Sequence, residues 1–287
     1  MDVALVTCAA MPGLYGDDRH LLAALWNRGL AAEPVVWEDP YQDWSEPRLT
    51  VVRSAWDYAY RLPQFLDWAE RAARGSYLWN SLSVIRWNTH KRYLCDLLER
   101  GVSVVPTLQL SAGSKADLRA LIEDHDWEEV VIKAAVAQAG RYAMRVSLDS
   151  IAQGQAHLDR YLPHEDMLVQ RYMPGVLDYG ELSLVFVDGE FTHAVRKRTT
   201  RDDFRVHSDF GGTERLERPD QGELAVARAA LDAVGEPTLY ARVDVVRDQA
   251  GAAAIMEFEL VEPELFLRFS PDAVELLCDG IERRLGR

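Results

Sequence analysis

Three carboxylates near the end of the chain offer the clearest chemistry. Glu257 and Glu259 are two residues apart in a short β-type run, so on a strand they share one face, with Met256, Phe258 and Leu260 expected on the other. A second such run, residues 240–246, precedes it across the turn sequence DQAG. A hairpin turn centred on Ala250-Gly251 sets Asp244 opposite Glu257 and Arg242 opposite Glu259, with opposed Cβ atoms about 5 Å apart. Carboxylates that close repel one another unless a hard cation or an arginine neutralises them. Mg²⁺ suits such a set, because it takes a few carboxylate oxygens and completes its shell with phosphate and water. A solvated acidic face with Arg242 as its partner accounts for the same residues.

Two lysines and one short motif add to this. Thr89 is expected to cap a helix bearing Leu94, Leu97 and Leu98, which puts Lys91 in the first helical turn, where free N–H groups favour an anion rather than a cation. A bound phosphate explains a lysine there, and so does plain exposure. Residues 130–132 read as a buried strand ending in Lys133, followed by the small-residue stretch AAVAQAGRYA, which has the composition of a flap. The segment RSAWDY holds Arg53 and Asp57 beside two aromatics at the end of a predicted strand. That set suits an amino-acid-like ligand, and equally a surface ion pair with a tucked tryptophan.

The elements that must position these groups alternate at first. Strands at 3–6, 35–37, 51–53 and 77–79 are separated by helices, one capped by Asp17 and one opened by Pro63. Such alternation implies a mainly parallel open sheet, which binds ligands at the carboxyl ends of its strands. Later the character changes to hairpins: residues 182–187 and 191–195 flank Asp188-Gly189, and a polar loop runs from Arg198 to Gly212. A last helix starts at Ser270 with Pro271 in its first turn. The expected divisions are 1–82, a substrate-binding α/β domain; 83–168, a central lobe; and 169–287, a C-terminal lobe with the metal site.

The 287 residues carry 32 basic against 46 acidic side chains, a net charge of −14, which argues against general binding to nucleic acid or anionic membrane. Cys8, Cys95 and Cys278 are odd in number and far apart, so neither a disulfide framework nor a zinc site is suggested. No basic leader precedes the first strand and no apolar run approaches the roughly 18 residues of a membrane span. The cytoplasm is the expected location. A GxGxxG fingerprint is missing after the first strand, where CAAMPGLYG stands, which argues against a dinucleotide-binding oxidoreductase.

Taken in order, the motifs resemble the ATP-grasp superfamily, and the last block resembles bacterial glutathione synthetase. WNTHK resembles the helix entry bearing the family's first phosphate-binding lysine, here Lys91, and VVIKAA the strand bearing the second, here Lys133. VQRYMPG resembles the strand between the lobes, whose main chain reads the adenine edge, here Gln170, Arg171 and Tyr172. EFELVEP matches the family's Glu-x-Asn…Pro element, and Asp244 falls on its upstream metal aspartate. FRVHSDFGG resembles the loop over the phosphates, placing Arg205 and His207 on an Arg and an Asn. Glu259 and His207 each replace an asparagine, Ala134 replaces a proline after the second lysine, and the flap has one glycine, Gly140.

The resemblance implies a mixed α/β fold in which two lobes sandwich ATP behind an open parallel-sheet domain. It implies a ligase that joins a carboxylate to a nitrogen through an acyl phosphate, with ATP and Mg²⁺ as cofactors. Asp244, Glu257 and Glu259 would hold the metal, Lys91 and Lys133 the phosphates, and Arg205 with Lys197 the transferring group. Arg53 and Asp57 are the candidates for the substrate's carboxylate and amine. The implied partner is an amino-acid-sized molecule; a homodimer is left open. The compact form also resembles the cyclo-ligase of cycloserine biosynthesis, which closes O-ureido-serine onto itself. A two-substrate amino-acid ligase and a non-catalytic ATP-binding protein are the alternatives.

Overall fold

A computed structural model describes residues 1–138, 140–199 and 212–286. The first sheet is parallel, in the order β2-β1-β3-β4, from β1 (Val3–Thr7), β2 (Ala32–Val36), β3 (Leu49–Ser54) and β4 (Tyr77–Trp79). Helices α1 (Arg19–Asn27) and α2 (Leu62–Gly75) connect these strands. Both faces of the sheet are covered, as the continuous burial of β1 and β3 requires. On one side, Phe65 and Trp68 of α2 pack with Trp37 and Trp44. On the other, α1 packs with α9 (Pro271–Leu285), so the last helix of the chain covers the first sheet. Asp17 does not cap α1; its carboxylate instead accepts from the backbone N–H groups of Leu267 (2.6 Å) and Arg268 (2.9 Å).

Helices α3 (Leu82–Asn88) and α4 (Tyr93–Glu99) lead to the second sheet. It is antiparallel, in the order β5-β8-β6-β7, from β5 (Thr107–Leu110), β6 (Glu129–Ala134), β7 (Met144–Ser147) and β8 (Met167–Arg171). Helices α5 (Leu118–Asp124) and α6 (Ile151–Tyr161) pack with it around Leu118, Ile122 and Leu158. Because β8 pairs with both β5 and β6, this sheet reaches past residue 168. A short turn of helix, α7 (Gly175–Asp178), leads into the third sheet.

That sheet is antiparallel, in the order β11-β10-β9-β12-β13, from β9 (Glu181–Val187), β10 (Glu190–Arg198), β11 (Thr213–Leu216), β12 (Tyr240–Arg247) and β13 (Ala253–Glu259). Helix α8 (Gln221–Val234) opens with a capping box between Asp220 and Glu223 and covers one face with Ala227 and Ala230. The hairpin β12–β13 pairs Asp244 with Glu257 and Arg242 with Glu259, as the turn sequence implies. The route differs from the one expected. Nearer the turn Val245 pairs with Ile255, so Met256 is an extra residue, a β-bulge. Ile255 therefore joins Phe258 and Leu260 in the buried core, while Met256 turns to the cleft rather than into the opposite face.

Two buried asparagines clasp the end of β13. Asn80 donates to the carbonyls of Tyr240 (3.0 Å) and Leu260 (2.6 Å) and accepts from the Leu239 N–H (2.7 Å). Asn88 donates to the Phe258 carbonyl (2.8 Å) and accepts from the Leu260 N–H (2.7 Å). These bonds tie the first sheet and α3 to the acidic strand. Replacing Asn80 with alanine orphans three buried backbone groups, each worth about 1–3 kcal/mol. Asn80→Ala is expected to lower unfolding stability in urea by roughly 3 kcal/mol; a loss below about 1 kcal/mol would show that the clasp contributes little.

Candidate active site

A deep cleft lies where the three sheets meet. It is lined by Lys91, Lys133, Gln170, Arg171, Tyr172, Lys197, Glu257 and Glu259, with Asp244 buried directly behind. Nine residues named from the sequence are therefore brought together. Lys91 arrives there by a different local structure from the one expected. Thr89 ends α3, its hydroxyl donating to the Arg86 carbonyl (3.2 Å), and Lys91 lies in the turn before α4. Its N–H donates to Ala135 O (2.8 Å) and its ammonium pairs with Glu257. Lys133 enters from β6, whose side chains alternate between core and cleft.

Charge dominates this site. One oxygen from each of Asp244, Glu257 and Glu259 falls in a cluster within 4.8 Å of one another. Arg242 bridges two of them, to Asp244 (2.9 Å) and Glu259 (2.5 Å). Lys197 bridges Glu181 (2.5 Å) and Asp244 (3.4 Å). Burial alone would raise the Asp244 carboxyl, but Arg242 and Lys197, with the Ser183 hydroxyl at 2.5 Å, hold it well below the ordinary carboxylate range. Burial raises Glu181 despite Lys197. Burial also lowers Lys91, against the pull of Glu259 and Glu262, and together with the nearby Lys91 charge pushes Lys133 down to about 7. Three hard, ionisable oxygens facing one point fit a small divalent cation. In its absence Lys91 and Arg242 supply the neutralising charge.

At the end of β8, the N–H groups of Arg171 and Tyr172 already donate to Pro106 O and Glu129 O, both at 2.9 Å, and the Gln170 amide donates to the Thr107 hydroxyl at 2.9 Å.

In the RSAWDY segment both charged side chains are paired within the protein. Arg53 is fully buried; it pairs with Asp18 (2.8 Å), donates to Pro263 O (2.7 Å) and lies over the Tyr240 ring (4.8 Å). It braces the first sheet against the third and is not part of the cleft wall. Asp57 accepts from the Trp37 indole (2.9 Å) and pairs with Arg61, also away from the cleft wall. The residue between them, Trp56, does reach the cleft, and its indole donates to Glu262 O (3.0 Å). Glu181, Glu262 and Glu264 also line the cleft and were not named from the sequence as site residues. Arg205 and His207 lie outside the described residues.

Residues 3–80 match the family described as D-cycloserine synthetase DcsG, N-terminal domain. The chain is 32% identical to the cycloserine biosynthesis protein DcsG of Streptomyces lavendulae, over 99% of this chain and 98% of that one. It is 31% identical to a glutathione synthetase of Prochlorococcus marinus (strain MIT 9313), over 75% of this chain and 70% of the relative. The crystal structure of D-cycloserine synthetase DcsG superposes with a TM-score of 0.91 at 33% identity, covering 99% of this chain and 100% of that one. D-alanine–D-alanine ligase from Bacillus anthracis, complexed with ATP, gives 0.71 at 15% identity over 100% and 98%, a likeness of fold. The architecture is thus the ATP-grasp fold.

The state of Lys133 gives a test. With a folded value of about 7 against an ordinary 10.5, the unfolded chain holds this proton more tightly. Stability from this group therefore rises with pH between those values. Anionic phosphates favour the charged form, so ATP binding at pH 8 is expected to take up about one proton. Titration calorimetry in buffers of differing ionisation heat reads that uptake directly. Lys133→Met should abolish it; uptake unchanged in the variant would remove Lys133 from the phosphate site.

Proposed function

Because the chain belongs to the D-cycloserine synthetase family of ATP-grasp ligases, we propose that it closes the cycloserine ring from O-ureido-serine. The chain is an ATP-dependent ligase that forms a carbon–nitrogen bond. The observation that carries the finer reading is the meeting of Lys91, Lys133 and the Asp244–Glu257–Glu259 set in one cleft.

The substrate carboxylate takes the γ-phosphoryl group of ATP, giving an acyl phosphate and ADP. The nitrogen bonded to the side-chain oxygen then attacks the acyl carbon, the carbon–oxygen bond to phosphate breaks, and the nitrogen loses its proton. The ring-closed product is lighter than the acid by one water, and hydrolytic loss of the carbamoyl group yields cycloserine. Lys133 and Lys91 hold the nucleotide phosphates, and Lys197, anchored by Glu181 and Asp244, faces the transferring group. Asp244, Glu257 and Glu259 would hold Mg²⁺, which would supply positive charge to the phosphate oxygens and leave Lys91 and Arg242 free of their carboxylates. Arg205 is proposed to share the role of Lys197, and His207 to contact the nucleotide.

ADP release is to be measured with Mg-ATP and O-ureido-serine alone, with mass analysis of the product. Turnover with this single acid and formation of cycloserine are expected. A requirement for a second amino acid would make the chain an intermolecular ligase. Tight ATP binding without ADP release, whichever acid is offered, would make it a binding protein. Glu257→Gln and Glu259→Gln are each expected to raise the Mg²⁺ concentration needed for half-maximal rate by about tenfold or more; an unaltered requirement would remove these residues from the metal site.

A further inference from the structure

Six glutamates line the cleft among the described residues, and five have a cation beside them. Glu181 pairs with Lys197, Glu257 with Lys91, Glu259 with Arg242, and both Glu214 and Glu264 with Arg268. Glu262 is the exception. It is 3% exposed, its Oε1 accepts from the neutral Gln138 amide, and its Oε2 is buried with no hydrogen-bond partner. Burial and the neighbouring Glu259 both disfavour its ionised form. A buried carboxyl with one oxygen unspent is costly unless something that enters the site satisfies it.

The surroundings are built to present that oxygen. Trp56 fixes the Glu262 backbone through its indole, and the Trp56 ring lies against Tyr15 with centroids 4.7 Å apart. Both rings line the same cleft as Glu262. Gln138, from the loop after β6, holds the other oxygen. A buried carboxyl with no ion-pair partner in contact, Lys91, Arg242 and Arg53 acting on it only at longer range, in a cleft that Tyr15 and Trp56 also line, suits a compact cation brought in by the ligand.

We propose that Glu262 is the counter-ion for the α-ammonium group of the amino-acid substrate, read together with Trp56. This rests on the ligase reading above and takes the amine-binding role away from Asp57. Glu262 would set specificity for amino acids over plain carboxylic acids without contacting ATP.

The test compares O-ureido-serine with its analogue lacking the α-amine. Binding of each to protein loaded with a non-hydrolysable ATP analogue is measured by calorimetry, and turnover is measured in parallel. Wild type is expected to favour the amine-bearing acid by at least about 30-fold. In Glu262→Gln, which keeps the shape of the side chain, that preference should fall to within a few-fold while ATP affinity stays within about twofold. Should that variant fail to fold, Trp56→Phe keeps the ring, loses the anchor, and should lower the preference several-fold. A preference that persists in the variant overturns the proposal whether or not the enzyme turns over. Selectivity lost in the variant, with no turnover in wild type, keeps this proposal and overturns ring closure. Binding of neither acid overturns both.

Discussion

Four carboxylates, Glu181, Asp244, Glu257 and Glu259, come together on three neighbouring strands at the cleft, and the cations of the site are arranged around them. Desolvation and mutual repulsion both oppose this. Lys197 and Arg242 answer from within the sheet, each bridging two acids, and Lys91 answers from the turn before α4. The consequence for function is direct. On the proposed reading, a divalent cation at these carboxylates would free Lys91 and Arg242 for phosphate oxygens, which would couple the proposed metal and nucleotide sites by charge.

The fold supplies the rigidity that such an arrangement demands. Asn80 and Asn88 hold β13 by its backbone, and Arg53 with Tyr240 locks the first sheet onto the segment that follows it. The bulge at Met256 keeps Glu257 and Glu259 on the cleft face while Ile255 still packs in the core. If Met256 were paired in regular alternation instead of bulged, Glu257 and Glu259 would fall on the same face as Ile255.

Much of this was legible from residue types. Alternation and a Gly-containing turn were enough to pair Asp244 with Glu257, because side-chain period and hairpin geometry leave few registers. The bulge was not legible, since two registers differing by one residue satisfy the turn equally. Lys91 was located for the wrong local reason: the chain turns between two short helices there, and Thr89 closes the first rather than opening the second. For Arg53 and Asp57 the sequence leaves two readings open, because a cation, an anion and aromatics in six residues look the same whether they face a ligand or pair within the protein. What decides is Asp18, 35 residues upstream, and the Pro263 carbonyl, 210 residues downstream. Glu262 does not stand out as a site residue in the sequence, because it lies three residues after Glu259 and so falls out of the two-residue period shared by Glu257 and Glu259.

The central claim is that the substrate carboxylate is activated on its own oxygen. Substrate labelled with ¹⁸O in both carboxylate oxygens, turned over with unlabelled ATP in unlabelled water, tests it most directly. Activation through an acyl phosphate predicts one ¹⁸O in each phosphate released and one retained in the ring carbonyl. Phosphate released without label would contradict the account, because the oxygen would then have come from water and ATP hydrolysis would be separate from bond formation.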